Sequence, residues 1–137
     1  CLAALQQPQA RVELGLRLRD LAHAAIDVSD GLLADLGHIL ERSALGAEIF
    51  VAKLPPLPAA VDPVLARRCQ LAGGDDYELV FSAPANRRAE LAALASEVAV
   101  PLWRFGHVVG GAPGCLRVLD EIGRPLTIDE KGFDHFG

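Results

Sequence analysis

Apolar residues recur along this chain in short runs, cut by glycine, proline and charge, and the runs alternate between helical and strand-like spacing. Val12, Leu14, Leu16, Leu18 and Leu21, set among arginines, predict a helix within residues 9–22. Ala24-Ala25-Ile26 fits a short buried strand, which Asp27-Val28-Ser29-Asp30-Gly31 breaks. A helix starts there. Leu32, Leu36, Ile39 and Leu40 fall on one face, Asp35, Glu41 and Arg42 fall outside it, and Gly46 stops it just past Ser43. Residues 47–51 form a second strand, and Pro55-Pro56-Leu57-Pro58 makes a rigid surface connector, since proline cannot serve a sheet interior.

The next helix runs from Pro63 to Ala72 with Val61, Leu65, Cys69 and Ala72 inward, and Gly73-Gly74-Asp75-Asp76 ends it. Tyr77 to Phe81 alternates as a strand, and a helix from Ala85 to about Val98 buries Leu91, Leu94 and Val98. Strand-like segments follow at 100–109, 115–120 and 125–128, with Gly110-Gly111 and Gly123 as hairpin turns. Lys131 to Phe136 belongs to no obvious element. The expected fold class is α/β (α+β), a mixed β-sheet with helices packed on it.

Composition narrows the function classes. At 137 residues the chain is the size of one domain, spanning 1–137 without an internal boundary. Its 51% hydrophobic and 23% charged residues exclude disorder, collagen and coiled coil, and no apolar run is long enough to cross a membrane. A net charge of −5 lacks the electrostatic footprint of a nucleic-acid binder, and Arg67-Arg68 and Arg87-Arg88 read as solvated helix faces. Cys1, Cys69 and Cys115 are odd in number and far apart, which argues for reduced thiols and against a zinc site or disulfide framework. With no secretory leader in view, a cytoplasmic location is expected. The chain has no methionine and opens on Cys1-Leu2-Ala3, the pattern of one domain from a longer protein.

Two acidic junctions carry the candidate chemistry. Asp27-Val28-Ser29-Asp30-Gly31 puts two carboxylates and a hydroxyl at a strand-to-helix junction. Asp30 or Ser29 capping the helix accounts for one of them. A magnesium site is the other reading, because hard divalent cations take one or two carboxylates together with substrate phosphates, and the spacing alone leaves both open with capping ahead. Gly73-Gly74-Asp75-Asp76-Tyr77-Glu78 then crowds three carboxylates behind two glycines. Such a cluster is cheap on a wet loop and calls for a cation or hydrogen-bond donor in a cleft. His38 follows Asp35 by three residues but has no second histidine on its face, so a surface role is expected. No Gly-x-Ser-x-Gly elbow and no Walker loop occurs.

Four segments in order carry a resemblance. Ile26 to Leu32, Asp35 to Ile39, Gly73 to Leu79 and Lys131 to Phe136 closely resemble the C-terminal half of the thiamine-monophosphate kinases, within the superfamily of aminoimidazole-ribonucleotide synthetase. The resemblance runs from about Arg11 to the end of the chain. It implies the fold of that C-terminal domain and transfer of the ATP γ-phosphate to thiamine monophosphate, giving thiamine diphosphate. By position it implies Asp27 and Asp30 as magnesium ligands, Asp30 as the catalytic residue and Ser29 as an ATP contact. It further implies Asp75, usually Glu in the family, as a thiamine-phosphate contact, and Phe133 as an aromatic at the substrate site. The partners it implies are an N-terminal domain of the same protein, which supplies further magnesium aspartates, and a second copy in a homodimer. The 137-residue chain alone is then expected to be inactive. Two other readings remain at this point: another reaction of the superfamily, or a non-catalytic ligand-binding or dimerisation module.

Overall fold

Residues 11–74 and 78–126 are described by the computed structural model. Along the chain they form α1 (Val12–Leu18), β1 (Ala24–Asp27), α2 (Leu32–Ser43) and β2 (Gly46–Phe50), then a 3-10 turn (Val51–Lys53). There follow α3 (Pro63–Ala72), β3 (Leu79–Ser82), a 3-10 turn (Ala85–Arg87) running into α4 (Arg88–Glu97), β4 (Gly106–Val109) and β5 (Leu116–Leu119). The mixed α and β content is the class the hydrophobic pattern predicts.

Local chemistry sets several ends. Asp62 caps α3, its carboxylate accepting from the backbone N–H groups of Val64 at 3.1 Å and Leu65 at 2.9 Å, with Pro63 at the first helical position. The end of α2 differs from expectation. Ala44 takes the left-handed conformation and its N–H donates back to the Glu41 carbonyl, so Gly46 is free to open β2. There it lies against the chain: a Cβ on Gly46 would stand 2.9 Å from the Cys115 carbonyl oxygen.

β1 and β3 pair antiparallel, with Ile26 opposite Val80 and Asp27 opposite Leu79. The other sheet has the order β4-β2-β5, β2 running antiparallel to β4 and parallel to β5. That order corrects the expected hairpin at Gly110-Gly111. The 110–115 link carries the chain from one side of β2 to the other, because β2 already fills the place between β4 and β5. Gly123 does sit in a turn, where Asp120 N–H donates to the Arg124 carbonyl and Leu126 N–H to the Val118 carbonyl.

Strand alternation sends β3 to two cores. Val80 packs into the larger one with Val28, Leu36, Ile39, Leu40, Ile49, Leu71 and Val118, where Ile49 is fully buried. Leu79 and Phe81 pack into the smaller one, around Leu14, Leu18 and Leu94. Arg17 of α1 pairs with Glu97 of α4 across that second core.

The inward face of α3 is not the expected one. Ala66 and Leu71 are buried, while Leu65 is 53% exposed and Val61 and Cys69 are also exposed. Arg67 is half-buried and anchored, donating to the Val51 carbonyl and to Gln70, so of that arginine pair only Arg68 is exposed. Leu94 of α4 is buried as predicted, with Leu91 and Val98 packed beside it. No described helix is long and apolar enough to cross a membrane.

Candidate functional site

Period-two alternation in β1 puts Ile26 against the core and leaves Asp27 exposed at the strand end. The chain then turns. Val28 is buried and its N–H donates to the Glu78 carbonyl at 2.8 Å, Ser29 and Asp30 are exposed, and Gly31, with φ 117°, leads into α2. Neither Ser29 nor Asp30 caps the helix. Gly31 holds that position, with no side-chain cap bond.

The anchoring runs the other way. Asp35, expected on the outer face of α2, is only 2% exposed. Its Oδ2 accepts the backbone N–H of Ser29 at 2.9 Å and of Asp30 at 3.0 Å. A carboxylate enters an interior only when hydrogen bonds replace its water, and two charge-assisted bonds from the incoming loop do so here. Asp35 therefore fastens the 27–31 loop to the helix that follows it.

That arrangement gathers a donor set. Asp30, Asp35 and His38 bring one ligand atom each to within 4.8 Å of one another, with Asp30 and His38 exposed and Asp35 buried. Asp27 stands at the head of the same loop, outside this group. His38 is on the surface, as expected, but it faces the acidic cluster; its (i, i+3) spacing from Asp35 on α2 was the signal for that. None of the ion pairs among the described residues engages Asp27, Asp30 or Asp35. Exposed carboxylates that join no ion pair among the described residues suit a hard divalent cation with retained waters, so Asp27 and Asp30 fit magnesium, while the Asp35 carboxylate is already engaged by two amides. The His38 imidazole is the softer donor, better matched to a water held by such an ion. A groove lined by Ala25, Ile26, His38 and Arg42 runs beside the cluster.

The second acidic junction abuts the first. A Cβ on Gly74 would overlap the Ser29 carbonyl oxygen, so only glycine allows this approach. On the far side of that junction, Glu78 receives the Val28 N–H on its backbone and Arg11 on its side chain. The guanidinium makes two parallel bonds, at 2.8 and 3.0 Å. The bond to Glu78 raises the Arg11 pKa further above its usual value. Asp75, between these flanks, and Phe133, the two expected substrate contacts, lie outside the described residues.

Known proteins resemble this chain along most of its length. Residues 2–118 match the profile of a family described as AIR synthase related protein, C-terminal domain. The chain is 43% identical over 133 residues to the thiamine-monophosphate kinase of Escherichia coli K12, an alignment covering 95% of this chain and 40% of that protein. A crystal structure of thiamine-monophosphate kinase from Stenotrophomonas maltophilia superimposes with a TM-score of 0.77 at 47% identity, over 87% of this chain and 37% of the other. AaThiL complexed with AMPPCP and TMP superimposes with a TM-score of 0.67 at 28% identity, over 93% of this chain and 40% of the other. The chain thus spans about two fifths of the length of the curated relatives it matches. Matched along most of its length, the chain belongs to the family of AIR synthase related proteins, whose C-terminal domain it represents.

Proposed function

We propose that the intact protein to which this domain belongs is a magnesium-dependent kinase that transfers the γ-phosphate of ATP to thiamine monophosphate. The observation that carries this reading is the packing of the two acidic junctions against each other, Ser29 against Gly74 and Val28 against Glu78. In this reading the two junctions are the nucleotide loop and the acceptor segment, which transfer between two phosphates needs as neighbours. It is supported by the 43% identity to a thiamine-monophosphate kinase and by the likeness to a structure holding AMPPCP and TMP.

In this reading Asp27 and Asp30 hold magnesium and Ser29 contacts ATP. Bound magnesium neutralises phosphate charge, which matters because the acceptor is itself an anion that repels the γ-phosphate. The protein supplies position. A terminal oxygen of thiamine monophosphate forms the new bond to the γ-phosphorus, the bond from that phosphorus to the β,γ-bridging oxygen breaks, and ADP leaves with the electron pair. Asp30 faces the reacting phosphates, while Asp75 and Phe133 contact the acceptor. An N-terminal domain completes the site, the working form is a homodimer, and the compartment is the cytoplasm.

The test is to mix the intact protein with ATP, magnesium and thiamine monophosphate and to follow thiamine diphosphate by chromatography. Magnesium-dependent product is expected. Asp30→Asn should lower turnover by roughly two to three orders of magnitude, the scale of losing one charge-stabilising group. The fold should persist, because Asp30 is exposed and its side chain joins no ion pair among the described residues. Near-normal turnover by Asp30→Asn would remove that residue from the mechanism. Product formed by the 137-residue chain alone would overturn the need for a second domain.

A further inference from the structure

Asp35 has a part in this site that neither the metal-ligand nor the nucleotide reading assigns. Two observations set it apart. It is the one buried charged residue among those described, at 2% exposure. Its bonds go to the backbone of two consecutive residues, Ser29 and Asp30, at 2.9 and 3.0 Å, whose side chains the functional reading places on nucleotide and metal. Both bonds fall on a single oxygen, Oδ2.

We propose that Asp35 is a positioning residue: by clamping the Ser29 and Asp30 amides it sets the direction in which their side chains leave the loop, and so prepares the loop for magnesium and the ATP phosphates. The inference rests on the functional reading above. Exposed loop residues in water sample many backbone orientations, and a site that must reorder them on binding loses affinity. The Val28 N–H ties the start of the loop to Glu78, but α2 carries no side-chain cap and its cap position is a glycine. A helix side chain provides a second tether. Asp35 lies on the first turn of α2, whose Leu36, Ile39 and Leu40 are buried in the larger core, so the clamp is fixed to a helix that is itself anchored by packing.

Positioning and direct ligation predict different variants. An asparagine at 35 keeps one carbonyl oxygen where Oδ2 stands and can receive both N–H groups, but loses the charge. A direct ligand would lose its function on that change. A clamp would keep most of it.

The test uses the intact protein and two readouts. The first is the affinity for AMPPCP in the presence of magnesium, by calorimetry, which needs no acceptor. Asp35→Ala should weaken it about 10–100-fold, as loss of a partner that orients a ligand does. Asp35→Asn should stay within about fivefold, well short of that range. The second is amide hydrogen exchange at Ser29 and Asp30 in metal-free, nucleotide-free protein, which should accelerate in Asp35→Ala and remain slow in Asp35→Asn. Wild-type affinity in Asp35→Ala would overturn the proposal, and so would equal losses in the two variants. Should Asp35→Ala not fold, Asp35→Asn is set against Asp35→Glu, which keeps the charge but moves it by one methylene. Asparagine binding better supports the clamp, and glutamate binding better overturns it. A wild type that binds magnesium and AMPPCP but makes no thiamine diphosphate would overturn the choice of acceptor alone and leave this comparison standing. A wild type that binds neither would overturn both.

Discussion

Replacing Gly31 by alanine attacks the junction between the acidic loop and α2. Gly31 has φ 117° and ψ 150°, a conformation that side-chain-bearing residues avoid, which costs about 1–3 kcal/mol for alanine. A Cβ there would also stand 2.9 Å from three backbone atoms of Ala72, at the end of α3. Those atoms belong to the main chain and cannot rotate away, so α2 and α3 must part by a few tenths of an ångström. Overpacking of that kind costs about 1–3 kcal/mol more. The sum is about 2–6 kcal/mol against a total stability of about 5–15 kcal/mol for a domain. Gly110→Ala is the control: nothing lies within 4 Å of its would-be Cβ, and its φ is not positive. There alanine should be neutral or stabilising by up to about 1 kcal/mol, through the unfolded chain. Urea unfolding of both variants beside the wild type, read by far-ultraviolet circular dichroism, gives the two free-energy differences. Equal stabilities for the two variants, or a loss below about 1 kcal/mol at Gly31, would refute the reasoning from backbone conformation and close approach.

Two further expectations follow from the packing and the charges. Ile49→Ala, at a fully buried position in the middle strand of the larger sheet, should lose about 2–5 kcal/mol, whereas Val64→Ala, at 77% exposure, should change stability by less than about 0.5 kcal/mol in the same urea titration. Glu78→Gln removes the partner of Arg11 from a bridge whose side chains are 30% and 51% exposed, so the loss should be about 0.5–1 kcal/mol and should shrink in 1 M salt, where the Debye length is about 3 Å. The raised Arg11 pKa means that its share of the bridge is fully present below the ordinary arginine value and is lost only above it. The arginine therefore adds no pH dependence between about pH 5 and 9, and a strong arginine-linked slope there would contradict this assignment.

Much of this fold is legible in the sequence. α3 begins and ends where Asp62-Pro63 and Gly73 say it should, because a cap, a first-turn proline and a closing glycine each act locally. Its buried side was not legible. Val64, Leu65, Ala66 and Leu71 place apolar groups around most of the helix, and the side that is buried depends on which surface it meets. The order β4-β2-β5 was hidden for a related reason: glycines mark a change of direction, not the strand that occupies the space between.

The acidic loop was readable as a cluster, Asp27, Ser29 and Asp30 standing together in five residues. Asp35 was not. Hydrophobic patterning assigns a carboxylate to the outer face of a helix, and only the two amides delivered by the preceding loop make its burial tolerable. His38 was passed over because its partners come from that loop and from Asp35, not from a second histidine.

The position of β2 also governs how the chain reaches this structure. Ile49 pairs across to Gly106 on one side and Val118 on the other, so both neighbours of the central strand are made roughly sixty residues or more after it. At a synthesis rate of about 5–20 residues per second, that strand waits several seconds with both hydrogen-bonding edges open. During the wait its apolar residues and unpaired amides are what a holding chaperone binds and what a second nascent chain could pair with. The ribosome thus delivers the middle of the sheet first and its flanks last, and a stall just before Leu116 would release a chain in which Ile49 is covered on one side only.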